Sequence, residues 1–332
     1  MTAAIHTEGL TKEFDNGRGC RDVSITVQKG EAFGFLGPNG AGKSTFVKML
    51  VGLIHPTEGT ATIFGHPIHS LEAKKRIGYL PELFRYQEWL TGEEVIKLHA
   101  KLCGVDTKTA KERIPKLLDE VGLGSRGKGK IKNYSKGMQQ RLGLAAALVS
   151  DPDIIFLDEP SSALDPVGRK EVRSILMKLK AEGKTIFLNS HMLEDVEAVC
   201  DQIALLNNGE ILRTGDVGNV LQQKVTYRFK VSGYTPLVRT WLQDETGFEF
   251  EVETVHKPDS STNTAQQELV ISGHDTVWLK AELQNEEQAG WINSLLIEQG
   301  LTLYEVGKES GKLEDWFLTA VKGLSHRGER DV

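Results

Sequence analysis

The run Gly37-Pro38-Asn39-Gly40-Ala41-Gly42-Lys43-Ser44-Thr45 constrains this chain more than any other stretch. It sets Gly, four residues, Gly, Lys and a hydroxyl residue in the order that wraps a phosphate. Glycine lets the backbone turn tightly and point successive N–H groups inward, which makes a concave nest for anionic oxygens. Lys43 adds a positive charge for the β- and γ-phosphates, and Ser44 adds a hydroxyl for Mg²⁺. The apolar run Ala32-Phe33-Gly34-Phe35-Leu36 before the loop reads as a buried strand, and residues 45–51 after it read as the start of a helix. A strand–loop–helix unit sets the nest at a helix N-terminus, where the backbone dipole also favours anions. Nucleotide binding on an α/β scaffold is the expectation.

At 332 residues the chain is long enough for two domains. A hydrophobic share of 39% with 26% charged residues is that of a soluble globular protein. The net charge of −6 and the isoelectric point near 5.9 argue against nucleic acid as a main partner, because phosphate contact needs a basic surface. Three cysteines, Cys20, Cys103 and Cys200, form no C-x-x-C pair, suggest neither a disulfide framework nor a zinc site, and fit a reducing compartment. The opening residues show no export signal, and the longest apolar run, 142–149, falls short of the ~18–20 residues a spanning helix needs. The expectation is a soluble chain whose membrane role, if any, runs through another subunit.

Residues 4–14 and 22–28 read as strands, the second with Val23, Ile25 and Val27 on one face. Further short strands are expected at 60–64 and 77–80. From residue 91 the apolar spacing turns helical and is broken at Gly104 and Gly122, which predicts a helical insert over about 90–150. A strand at 154–157, a helix at 166–181, a strand at 185–188, a short helix at 193–199 and a strand at 203–206 follow. Alternating strands and helices predict a mostly parallel sheet covered on both faces. Asn207-Asn208-Gly209 turns the chain into a hairpin with 210–213. After about 222 the texture changes: strands at 226–231, 248–254, 268–271 and 301–306, a polar loop at 257–267 and a helix at 291–298. Leu313, Trp316, Phe317, Ala320 and Val321 mark a final amphipathic helix before a charged tail, 325–332. These make a small α+β domain.

A phosphate loop needs a metal ligand and a way to prepare water. Ile154-Ile155-Phe156-Leu157-Asp158-Glu159-Pro160 offers both, because the first carboxylate past a core strand emerges at the sheet edge beside the loop. Asp158 is placed to hold Mg²⁺ through its water shell, and Glu159 to orient or deprotonate the attacking water.

With these residues in place, the chain resembles the nucleotide-binding subunit of an ABC (ATP-binding cassette) transporter over residues 4–216. The resemblance implies a P-loop NTPase fold in 1–221, with a mixed sheet core and a helical subdomain at about 90–150; residues 222–332 lie outside it and are expected to form an accessory or regulatory α+β domain. Phe14 stands where the family stacks an aromatic ring on adenine. Tyr134-Ser135-Lys136-Gly137-Met138-Gln139-Gln140-Arg141 resembles the signature motif, Ser162-Ala163-Leu164-Asp165 the D-loop, and His191 the switch histidine. The residues have readings of their own: Ser135 and Asp165 suit helix N-caps, the latter before Pro166 at a first helical position. In the family, Ser135 and Gly137 meet the γ-phosphate bound by a second subunit. The resemblance therefore implies a head-to-tail dimer, a homodimer or a pair with a related cassette, holding two ATP molecules between its subunits. It also implies a membrane-spanning permease as partner, attachment to the cytoplasmic face of the membrane through that permease, and ATP hydrolysis that energises transport.

Two departures matter. Glu82, in Gly78-Tyr79-Leu80-Pro81-Glu82, stands where the family usually has a glutamine that contacts Mg²⁺, and Lys136 replaces the first glycine of the signature. Both are familiar in the ABC-2 type exporters, so export is expected. Non-transport ABC ATPases, acting on ribosomes, DNA or iron–sulfur assembly, are the alternative; this chain has one cassette and no long coiled-coil interruption. Phe84, Tyr86 and Trp89 suit either a docking surface for the permease or packing of the helical insert. The basic run from Arg126 to Lys136 reads as a solvated loop. His66-Pro67-Ile68-His69 has too few ligands for a metal and reads as a turn.

Overall fold

Strands that carry apolar side chains on both faces must be covered on both, and three of them set the centre of this fold. Ala32–Leu36, Ile154–Asp158 and Thr185–Asn189 are buried at every position. The computed structural model describes residues 3–15, 17–162, 164–222, 225–254 and 276–309, together with Leu313 and Trp316. It divides into one compact unit over Met1–Val217 and a second that begins at Gly218.

The main sheet of the first unit runs in the order Glu210–Asp216, Gln202–Asn207, Ala32–Leu36, Thr185–Asn189, Ile154–Asp158, Ile77–Leu80. Every neighbouring pair is parallel except the hairpin of Gln202–Asn207 with Glu210–Asp216. Parallel register brings the C-terminal ends of four strands to one edge: Phe35 pairs with Asn189, Asn189 with Asp158, and Leu157 with Leu80. Aromatic packing holds these strands together. Phe187 lies 5.5 Å from Phe35 and 5.4 Å from Phe156, and Phe35 stacks on Phe46 of the helix Lys43–Leu50 at 4.9 Å. The whole sheet edge, and the loops leaving it, is thereby fixed from below.

The alternating pattern predicts one mostly parallel sheet; the structure has a second, antiparallel sheet centred on Ala3–Glu13. It pairs with Gly19–Val23, Thr26–Gln28 and Glu58–Ile63, and His66–Pro67 pairs with the last of these. The single strand expected at 22–28 is broken in two. Thr7 Oγ1 donates to the Val23 carbonyl at 2.9 Å and accepts from the Ile25 N–H at 2.9 Å, so a side chain replaces one rung of the ladder. Val23, Ile25 and Val27 still share the buried face.

The helical insert consists of Gly92–Leu102, Thr107–Glu120 and Lys136–Leu148, with Gly104 and Gly122 at positive φ between them. Thr91 and Glu94 form a capping box, and Asp106 accepts two N–H bonds at the next helix. Phe84 packs on Tyr86 at 5.2 Å and beneath Gly143, whose missing side chain leaves it room, and Tyr86 meets the His99 ring edge-on. Trp89 is 71% exposed. The aromatic stretch thus divides: Phe84 and Tyr86 pack the insert, and Trp89 faces out.

The second unit runs Val225–Ser232, Pro236–Thr246, Phe250–Thr254, Val277–Leu283, Glu286–Glu298, Thr302–Glu309. Among the described residues these form a β-α-β-β-α-β order, with the third strand between the first and second and the first between the third and fourth, all antiparallel. Tyr227, Phe229, Val231 and Leu279 form its core with Leu242, Ile292 and Leu296 from the helices. The helix Pro236–Thr246 and the strand Val277–Leu283 are additions to the sequence reading. The strand expected at 268–271, the loop at 257–267, the tail at 325–332 and all but Leu313 and Trp316 of the last helix lie outside the described residues.

Candidate active site

Gly42, at φ 104°, caps the helix Lys43–Leu50 from the left-handed region, which favours glycine. A Cβ there would stand 2.1 Å from the Gly19 carbonyl, and one on Gly37 would stand 2.2 Å from the Leu206 carbonyl. The phosphate loop is therefore wedged between two other backbones, and Gly37 and Gly42 are steric necessities. Lys43 is 7% exposed and donates to the Gly37 carbonyl at 2.8 Å and the Pro38 carbonyl at 3.3 Å. Burial pulls its pKa below the ordinary 10.5, and Glu159, Asp158 and Glu82 pull it back up.

Asp158 ends its strand 2% exposed. Its Oδ1 accepts from Ser44 Oγ at 3.3 Å and from Asn189 Nδ2. Burial raises its pKa above 3.8 against the Asn189 bond, and Glu82 raises it further. Glu159 follows at φ 53°, an uncommon conformation for a side chain of this size, held by a bond from its N–H to the Asn189 carbonyl at 2.9 Å. That turn swings the carboxylate toward His191, whose Nδ1 lies 2.7 Å from Glu159 Oε2. Burial raises the Glu159 pKa above 4.5, opposed by His191 and Lys43.

Lys43, Ser44, Glu159 and His191 share one cavity of about 410 Å³, lined by residues 39–45, Glu82, Glu159, His191, Arg18 and Gly19; Asp158 does not line it and meets it through Ser44. Gly37 and Pro38 meet it through the carbonyls that hold Lys43. Phe14 is 43% exposed with Lys12 Nζ 5.6 Å from its ring centre, and does not line the cavity. A second cavity of about 370 Å³ is lined by Ser135, Lys136, Gly137 and Arg141 on one side and Leu164, Asp165, Val167, Gly168 and Glu171 on the other. Ser135 Oγ caps its helix by accepting from the Met138 N–H at 3.2 Å, and Asp165 does the same from Gly168 at 2.8 Å. Ala163 lies outside the described residues. The two cavities have no lining residue in common.

Asn189, Arg18 and Gly19 are site residues that the sequence reading does not single out. Asn189 has a legible signal: it is the polar residue ending an apolar strand of the same sheet as Asp158. Arg18 and Gly19 have none, because they reach the loop only through pairing of Gly19–Val23 with Ala3–Glu13. The oxygen donors Ser44, Asp158 and Glu82 suit a hard cation, and ionised Asp158, disfavoured by burial and by Glu82, would gain from one. Among the described residues there is no group of three or more His, Cys, Asp or Glu that could hold a metal ion by itself.

The ABC transporter family pattern matches residues 20–162. The chain is similar to an uncharacterized ABC transporter ATP-binding protein of Nostoc sp., at 46% identity over 228 residues, 68% of this chain and 67% of that one. It is similar to the bacitracin transport ATP-binding protein BcrA of Bacillus licheniformis, at 32% identity over 97% of this chain and 99% of the other. Among solved structures it resembles a dimeric ATP-binding cassette in a post-hydrolysis state bound to ADP and Pi, with a TM-score of 0.57 and 26% identity, over 64% of this chain and 98% of that one.

Proposed function

The chain belongs to the family of ABC transporter ATP-binding proteins, and on that premise we propose how its residues perform ATP hydrolysis and pass it to a membrane partner. It is an ATPase subunit that energises transport through a separate permease. Its triphosphate site is the nest of residues 37–45, with Lys43 on the β- and γ-phosphates and Phe14 against adenine. Ser44 and Glu82 would hold Mg²⁺ directly and Asp158 through water, and the ion supplies neutralisation of the phosphate charge. Glu159 positions the attacking water and takes its proton, a task helped by a carboxyl pKa raised toward the working pH. His191 holds the Glu159 carboxylate in place and reaches the γ-phosphate. Water oxygen bonds to the γ-phosphorus as the bond to the β-phosphate oxygen breaks, leaving ADP and inorganic phosphate.

The observation that carries this reading is the 2.7 Å contact of His191 with Glu159 in the cavity of the phosphate loop. It is tested by phosphate release from the purified protein with ATP and Mg²⁺. Glu159→Gln and His191→Ala are each expected to lower kcat by about 10²–10⁴-fold while ATP still binds. Loss of ATP binding in both variants, or unchanged kcat in either, would sink the assignment.

Ser135 and Gly137 lie in a different cavity from the phosphate loop, which supports a head-to-tail dimer in which they close the site of a second subunit, with Lys136 adding positive charge there. Leu83 and Trp89, 86% and 71% exposed just after Glu82, form the proposed contact with the permease. Among the described residues no helix is long and apolar enough to cross a membrane. In this reading attachment to the cytoplasmic face runs through that permease, and Glu82 and Lys136, familiar in ABC-2 type exporters, support export as the direction.

A further inference from the structure

His191 sits two residues ahead of the short helix Leu193–Val199, and Asp165 caps the long helix Pro166–Ala181. Two polar clamps join these helices. Near one end, Arg173 Nε and Nη2 both donate to Asp195 Oδ1, at 3.1 and 2.7 Å, and Asp195 is only 3% exposed. At the other end, Lys180 Nζ donates to the Val199 carbonyl at 2.8 Å and to Asp201 Oδ1 at 2.6 Å. Asp201 also accepts the Ala32 N–H at 3.0 Å, at the root of the phosphate-loop strand.

The spacing makes the clamps act together. Arg173 and Lys180 are two turns apart on one face of the long helix, and Asp195 and Val199 are one turn apart on one face of the short one. A single attachment leaves a pivot; attachments at both ends fix the angle. An ion pair whose carboxylate is buried and whose guanidinium is partly buried gains little over apolar packing of the same shape, and Asp195 Oδ2 is buried with no hydrogen-bond partner among the described residues. A fixed geometry is what such a pair provides.

We propose that Arg173 and Asp195 are positioning residues that lock the His191 helix to the Asp165 helix, so that a shift of Asp165 at the second cavity is carried to His191 beside Glu159. This rests on His191 acting in hydrolysis as described above. The pair lines neither cavity; it acts through His191.

The test uses the full-length protein with Arg173→Leu and Asp195→Leu together, which trades the ion pair for apolar packing. Its expected behaviour is a melting temperature close to that of the wild type, unchanged KM and ATP affinity, and a kcat lower by about ten- to a hundredfold. Combined with Asp165→Ala, the losses should be less than additive, because both changes act through His191. Unchanged kcat, a parallel loss of ATP affinity, or full additivity with Asp165→Ala overturns the proposal. If the leucine pair does not fold, Arg173→Lys decides: it keeps the charge and loses the fork, so kcat should fall several-fold at constant KM, and wild-type kcat overturns the idea. Glu159-dependent phosphate release by the wild type is measured alongside; its absence counts against the active-site reading itself and not against the clamp.

Discussion

Burial works against the charges that the proposed hydrolysis needs at Asp158 and Glu159. Both carboxyls hold their protons more tightly in the fold than in the unfolded chain, so folded stability falls as pH rises from the ordinary 3.8 and 4.5 through the raised values. Glu159→Gln removes one of these penalties. The nucleotide-free variant, in EDTA, is expected to melt higher than the wild type at pH 7, with the gap closing toward pH 4, in a thermal unfolding series. Asp151 shows the opposite sign. Lys184 Nζ lies 2.6 Å from its Oδ1, and that bond, aided by Arg113, lowers its pKa below 3.8. Its stabilisation is present above 3.8 and lost as pH falls through the lowered value. Asp151→Asn keeps a side chain that tolerates the φ of 57° and should cost about 0.2–1 kcal/mol at pH 7, since the carboxylate is largely exposed. Denaturant melts that still differ well below pH 3.8 would refute this.

Elements set how close these residues come. Gly34, in the strand before the phosphate loop, faces the short helix after His191: an added Cβ would stand 2.7 Å from Val196 Cγ1 and 3.1 Å from Ile203 Cγ2. Gly34→Ala is expected to destabilise by about 1–3 kcal/mol, measured by urea unfolding, and to disturb His191 before it disturbs Lys43. Period-two and period-3.6 patterns made most elements legible, and the caps Ser135 and Asp165 were legible as caps. The strand Val277–Leu283 alternates Val277, Leu279, Ala281 and Leu283 inward, a signal present in the sequence. The helix Pro236–Thr246 was harder, because it buries only Leu242 fully, and one residue makes no stripe. The split of the 22–28 strand had no pattern at all, since it depends on a hydroxyl from a strand fifteen or more residues away.

At the scale of the molecule, Ser135 and the phosphate loop belong to different cavities of one chain, and the proposed dimer brings them together across subunits. That arrangement predicts complementation. Glu159→Gln protein and Ser135→Arg protein should each hydrolyse ATP poorly, whereas a mixture should recover activity, because a mixed dimer contains one site with intact Glu159 facing intact Ser135. A mixture no more active than its parts would contradict the shared site. Among the described residues, those that line either cavity all belong to the first unit. The antiparallel sheet of the second unit carries, among the described residues, the helices Pro236–Thr246 and Glu286–Glu298, which is why that region reads as α+β.

The order of residues alone determined the phosphate nest, the carboxylates after an apolar strand, the histidine after another, and hence the class of chemistry. Those signals are local: a loop's glycines, a strand's buried run and a cap's hydroxyl act on their own neighbours. Only the tertiary structure decided which strand ends stand side by side, that Asn189 holds both Asp158 and the Glu159 backbone, that Gly19 and Leu206 close on the loop, and that Arg173 meets Asp195. The physical reason is that parallel strand order and contacts between residues far apart in sequence minimise energy over the whole chain, and no short window of residues contains them.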